Sequence, residues 1–156
     1  MPVDIFAITR QAMEETGSRM VQDLAAIPED KVALSPGGNA RKVCDFVYEV
    51  AFINRRMAAR LRGESLRLLE SEGWVVAPEE YRSKELLLEE LQGSVTELLA
   101  AYDTHGPAGF DHVISTPFGE STVFEAASFV TRHISYHDAQ LNYVQAFFGD
   151  LEMHWG

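Results

Sequence analysis

A chain of 156 residues with 46% apolar content suits one domain built around a single sizeable core. Its 24 acidic against 13 basic side chains leave a formal charge of −11, which argues against nucleic-acid backbones or anionic membranes as its main partners. No run approaches the roughly 20 apolar residues of a membrane span and the N-terminus lacks the basic-then-apolar plan of a secretion signal, so the cytoplasm is the expected location, where the lone Cys44 fits a reducing compartment.

From Val3 to about Ala26, residues Phe6, Met13, Met20 and Leu24 recur on one face and predict a first helix. Gly17 lies among them, a place where another backbone can come close. Pro28 and the stretch Ser35-Pro36-Gly37-Gly38-Asn39 carry turn chemistry, with Asn39 as the expected N-cap of a second helix from Ala40 to about Arg62 and Gly63 as its terminator. That helix has its apolar stripe at Val43, Phe46, Val47, Val50, Ile53, Met57 and Leu61. Glu49 sits on the flank of the stripe, roughly 60° from Phe46, while Tyr48 faces away.

Ser65 to Glu72 is compatible with a short helix, Gly73-Trp74-Val75-Val76 is apolar, and Pro78 breaks any continuation. Ser83 resembles the N-cap of a third helix with its stripe at Leu87, Leu91, Val95, Leu98 and Tyr102, ending near Asp103. A glycine- and proline-containing loop follows from His105 to Gly109, and residues Asp111 to Glu120 read as a short extended segment with a turn at Pro117 or Gly119. Thr122 and Glu125 then form a capping box that starts the last helix, which runs to Phe148 before Gly149-Asp150 and a short tail. Long amphipathic helices in this order predict an all-α four-helix bundle in one domain over 1–156, with its longer connections suited to crossing the bundle end.

The last helix carries the pointed chemistry. Val123, Ala127, Val130, Ile134, Leu141, Val144 and Phe148 share one stripe, with His137 inside it and His133 at its edge. Two imidazoles at i and i+4 stand one above the other, about 6 Å apart at their roots, and can converge on one ion. A carboxylate as close to an apolar face as Glu49 is costly to bury unless paired or bound to a cation. Zinc accepts two imidazoles and one carboxylate with water in the last position, and nickel, iron or manganese use similar ligands. Two readings are open at this point: a metal site of Glu49, His133 and His137, or histidines hydrogen-bonded within the bundle beside a Glu49 that reaches water and pairs with Arg55 or Arg56.

The run His133-Ile-Ser-Tyr-His137-Asp-Ala-Gln140-Leu141, followed by Gly149-Asp150, resembles the last-helix motif of the DinB-like (DinB/YfiT) superfamily of metalloproteins. Glu49-Val50-Ala51-Phe52-Ile53-Asn54 is similar to that family's His-Leu-Ala-x-x-Asn-like run on the second helix, with Glu49 standing in place of the histidine. The resemblance implies an up-down-down-up bundle with a long crossover, commonly a homodimer, with a zinc or nickel site at one end. It makes Glu49, His133 and His137 the expected ligands and leaves a position open for water or substrate. Gln140 and Asn54 become candidates for contact with a cofactor or substrate. Characterised relatives include thiol-dependent transferases and isomerases, so the activity implied is a metal-dependent thiol transferase or hydrolase acting on a small electrophile with a low-molecular-weight thiol. The alternative is a non-catalytic, dimerising bundle without metal, stress-related or structural. A small-molecule substrate is expected in the first case, and the linear sequence shows no basic cluster to receive an acidic thiol.

Other residues carry less. His105 and His112 fall in a loop, and His154 beside Trp155 lies in a tail whose folding back would supply a ligand or cover the pocket. Cys44 is placed outside the centre of the second stripe and has no Cys-x-x-Cys partner, which argues against a nucleophile. Neither a nucleophile-elbow motif nor a glycine-rich phosphate loop is present.

Overall fold

The computed structural model describes residues 3–64, 74–117 and 119–155. Helix α1 (Ile5–Ala26) is capped by Asp4, whose side chain accepts from the Ala7 amide at 2.9 Å. It buries the predicted Phe6, Met13, Met20 and Leu24. At Gly17 an added Cβ would lie 2.8 and 2.9 Å from the two methyls of Val95, so the close neighbour is a side chain rather than a backbone. A one-turn helix α2 (Glu29–Val32), which periodicity could not resolve, follows Pro28 and puts Val32 in the core.

Helix α3 (Val43–Leu61) starts later than predicted, and Asn39 does not cap it. Ser35 closes the preceding segment instead, its hydroxyl donating to the Ala40 carbonyl at 2.8 Å and accepting from the Gly37 amide at 3.2 Å. Arg41 is thereby left outside the helix. The far end does follow glycine chemistry: Gly63 has φ +74°, its N–H bonds to Arg60 C=O at 2.9 Å, and the Glu64 N–H bonds to Ala59 C=O at 2.9 Å.

A 3₁₀ turn at Glu79–Arg82 leads into α4 (Lys84–Asp103). Ser83 occupies the N-cap position but its side chain makes no capping bond; the Glu29 carboxylate accepts from the Lys84 amide at 3.3 Å in its place. The predicted extended segment is a hairpin of β1 (Val113–Thr116) and β2 (Gly119–Thr122), paired antiparallel. Thr122 then starts α5 (Val123–Phe147) through the predicted reciprocal box, with Glu125 N–H to Thr122 Oγ1 at 3.1 Å and Thr122 N–H to Glu125 Oε2 at 2.8 Å. The expected short helix from Ser65 to Glu72, Gly73 and Phe118 lie outside the described residues.

Cross-helix contacts fix the directions. Asn54 meets Ser94 and Arg62 meets Glu97, so α3 and α4 run parallel. Arg10 meets Asp103 while Lys84 reaches the Ala25 and Ile27 carbonyls, so α1 and α4 run antiparallel. Asp23 near the end of α1 meets Asn142 and Gln145 near the end of α5. The result is an up-down-down-up bundle whose α3-to-α4 connection traverses its length. Two apolar clusters fill it, one around Met20, Phe46, Leu87 and Ile134, the other around Phe6, Met57, Leu98 and Val130. Gly17, Asn54 and Ser94 fall in sequence between the residues that each helix gives to the two clusters. No helix among the described residues is long and apolar enough to cross a membrane.

Candidate metal centre

Helix α3 presents Glu49 from its second turn, and antiparallel α5 presents His133 and His137 from the facing stripe. Glu49 Oε1 lies 3.8 Å from Nε2 of both histidines, and one ligand atom from each of the three lies within 4.8 Å of the others. His137 is buried, with 2% of its side chain exposed, and Glu49 and His133 retain 15% each. The acid therefore points inward at both rings, and this is the juxtaposition expected from the sequence.

The surroundings constrain each ligand. Gln140 Oε1, which can only accept, lies 2.8 Å from His137 Nδ1, so that nitrogen carries a proton and Nε2 is the ring atom that faces Glu49. Gln140 in turn donates to Tyr136 Oη at 3.2 Å. Phe46 lies parallel to the His137 ring at 6.0 Å, and Phe129 stacks on His133 at 5.9 Å. His133 Nδ1 is buried without a hydrogen-bond partner among the described residues.

Glu49 Oε2 makes an ion pair with Arg41 Nη1 at 2.6 Å. Burial pushes the Glu49 carboxyl up, but His133, His137 and Arg41 together outweigh it and hold the group well below the usual carboxylate range. Arg41 is itself held by the crossover: its Nη2 donates to Val75 C=O at 2.8 Å and its guanidinium lies 5.0 Å from the Trp74 ring centroid. The anticipated partners of Glu49 are engaged differently, Arg55 forming a fork to Glu90 and a bond to Glu97, and Arg56 lying over Phe52. Sequence reasoning missed Arg41 because it was placed on the helix.

These residues fit a divalent ion. Ligand atoms of a tetrahedral zinc site sit roughly 3.4 Å apart when each is ~2.1 Å from the ion, so the 3.8 Å separations need to close by only a few tenths of an ångström. With Oε2 engaged by Arg41, Glu49 offers Oε1 as a single donor, and two imidazoles plus one oxygen leave a fourth position open.

Asn54 does not join the cluster: it is fully buried and donates to Ser94 Oγ at 3.2 Å across the α3–α4 contact. Gln140 joins through His137. His105 bonds to the Leu61 carbonyl at 2.8 Å and lies near His112, far along α3 from Glu49. The tail does fold back, but onto α1: Trp155 donates to Asp23 at 2.9 Å, and His154 bonds to Asp150 at 2.7 Å. Cys44, expected off the stripe centre, is fully buried, and burial first, then Asp45, raises its thiol pKa, which leaves it inert.

A cavity of about 550 Å³ opens beside the cluster. Glu49 and His133 stand at one part of its wall, Ile53, Met57 and Phe129 give it apolar surface, and Arg56, Arg60 and Arg132 also line it. A basic cluster invisible in the linear sequence is thus assembled from two helices.

The family model of the DinB superfamily matches residues 12–141. The fold is similar to the crystal structure of a conserved protein from Enterococcus faecalis, with a TM-score of 0.71, 16% sequence identity, and 94% of this chain and 98% of that one covered. At that identity the likeness extends to the fold alone. A comparison with curated proteins gives no match.

Proposed function

Because the chain belongs to the DinB superfamily, we propose that Glu49, His133 and His137 hold a catalytic divalent ion, zinc or nickel, in a thiol transferase or hydrolase that acts on a small electrophile. The observation that carries this is the approach of Glu49 Oε1 to both Nε2 atoms at 3.8 Å. When bound, the ion supplies Lewis acidity that lowers the pKa of a coordinated thiol or water.

The chain's own residues do the rest. Arg41 keeps Glu49 ionised and occupies one of its oxygens, and Gln140 fixes the His137 tautomer so that Nε2 is free to ligate. Ile53, Met57 and Phe129 line the approach with apolar surface, which limits water around a reacting thiol. In the transfer itself, a sulfur–carbon bond forms as the carbon–leaving-group bond breaks; the leaving group departs with the electron pair and takes up the proton that the thiol releases. With water as nucleophile the same site is a hydrolase.

One observation favours a second reading, a non-catalytic bundle: Arg41 gives Glu49 a protein partner without any ion. Calorimetric titration with zinc and with nickel, followed by metal analysis, separates the two. The proposal expects about one ion per chain, lost in His133→Ala and His137→Ala. Metal content far below one per chain after both additions would leave the non-catalytic reading.

A further inference from the structure

We propose that the cavity beside the metal cluster is an anion-binding subsite in which Arg56, Arg60 and Arg132 receive a carboxylate or phosphate of a small molecule. Its use as a substrate anchor rests on the catalytic reading above; the anion site itself does not need the ion.

The chain carries a formal charge of −11, so its general field repels small anions, and three guanidiniums on one cavity wall run against that background. Arg60 is half-buried, and among the described residues it makes no ion pair; its hydrogen bond is to the Ser115 carbonyl at 3.4 Å. Burial first, then the charge of Arg56 one turn away, lowers its pKa, so two like charges share a confined space. Elsewhere this protein pairs such groups with acids, as Arg55 does with Glu90 and Glu97. Arg132, exposed beside His133, makes no ion pair with a described residue either. Of the acids on the same wall, Glu49 is taken by Arg41, and Glu125 is committed to the Thr122 capping box.

Geometry gives the ligand a shape. Arg56 and Arg60 lie seven and eleven residues beyond Glu49 on α3, about 10 and 16 Å along the helix axis. Arg132 adjoins the ligand His133. An elongated small molecule with its reactive atom at the cluster and its anionic end toward Arg56 and Arg60 spans this distance against Ile53, Met57 and Phe129. Guanidiniums match carboxylate and phosphate oxygens through two parallel N–H donors, which makes both chemistries suitable.

The test uses chelator-treated full chain titrated with succinate and with inorganic phosphate, read by calorimetry and by amide chemical-shift changes. Saturable binding of either is expected, with shifts at residues of the cavity wall; the tighter of the two gives the anion class. Arg60→Gln and Arg132→Gln should each weaken binding roughly tenfold or more, while Arg10→Gln, outside the cavity, leaves it unchanged. Arg132 is exposed, so its variant folds even where the Arg60 variant does not. Zinc titration of the same variants keeps the two ideas apart: His133→Ala should lose zinc yet keep the anion, and Arg60→Gln the reverse. No saturable binding of either anion, or equal weakening in Arg10→Gln, overturns the subsite and leaves the metal reading standing.

Discussion

Arg41 Nη1 lies 2.6 Å from Glu49 Oε2, so the acid that faces His133 and His137 with one oxygen is neutralised through the other. The guanidinium opposes a cation at the same carboxylate while it stabilises the metal-free protein. Arg41→Gln should therefore have opposite effects in two assays. The metal-free protein should lose about 1–3 kcal/mol of stability, because a carboxylate only 15% exposed loses its partner. Zinc affinity should rise by roughly tenfold, since a repelling charge has been removed from within a few ångströms of the ion. Urea melts with chelator and calorimetric zinc titration read the two effects. A variant that weakens both would mean that Arg41 mainly positions Glu49.

Gln140 acts on the site through His137. Its Oε1 accepts from Nδ1 at 2.8 Å and leaves Nε2 to ligate, the arrangement that orients and tunes metal-bound imidazoles. Gln140→Leu should reduce zinc affinity about 10- to 100-fold without changing the thermal stability of the chelated protein by more than a degree or two. Gln140→Glu, which restores an acceptor, should recover most of the loss. Unchanged zinc affinity in the leucine variant would remove Gln140 from the site.

Gly17 serves packing rather than chemistry. A Cβ there would lie within 2.9 Å of a Val95 methyl, and valine has little rotameric freedom with which to yield. Gly17→Ala gains about 1 kcal/mol of helix propensity but forces an overlap that typically costs 1–3 kcal/mol, so a net loss near 1 kcal/mol is expected. Val95→Ala in the same chain should relieve the overlap, making the double variant more stable than the sum of the single effects. A Gly17→Ala protein that is more stable than the parent with Val95 intact would contradict the packing found here.

The helices were legible because their stripes are long and regular, and Thr122 with Glu125 marked the start of α5 correctly. Asn39 misled because cap chemistry is local while the start of α3 is decided at long range. Val75, Trp74 and Glu49 all hold Arg41, and the Ser35 hydroxyl closes the preceding turn on Ala40. For the same reason the pairing of Glu49 with Arg41 was not visible in advance. Helical rotation placed Glu49, His133 and His137 on or beside apolar stripes but left a metal site and ordinary hydrogen bonding both open, and it was the family resemblance of the last helix that made the three the expected ligands. Arg56, Arg60 and Arg132 could not be read in advance, because their common cavity depends on how two distant helices are placed against each other. Asn54 shares the α3 sequence run with Glu49, but helical rotation carries it to the α4 side, where it meets Ser94.

A buried pair of acids gives the bundle a pH-dependent stability. Asp23 and Asp138 are 1% and 9% exposed where α1 meets α5, and Asp23 Oδ2 also accepts from Asn142 at 2.6 Å and from Trp155 at 2.9 Å. Burial first, then the neighbouring Asp23, pushes the Asp138 carboxyl up to about 7. In the unfolded chain the same group titrates near 4. Between these values the folded protein holds a proton that the unfolded chain has released, so stability is highest at the acid side of the window and falls as pH rises from about 4 toward 7. Asp138→Asn keeps the position uncharged at every pH. Since Asp138 adjoins a proposed ligand, melts should be run with chelator at pH 5, 6, 7 and 8. The expected outcome is a smaller drop in Tm for the variant across that series, with the variant more stable than the parent at pH 8. Parallel curves for the two proteins would assign the pH dependence to other groups, and Asp23→Asn, which weakens the acceptor of the Trp155 bond, distinguishes loss of the tail contact from loss of the charge pair.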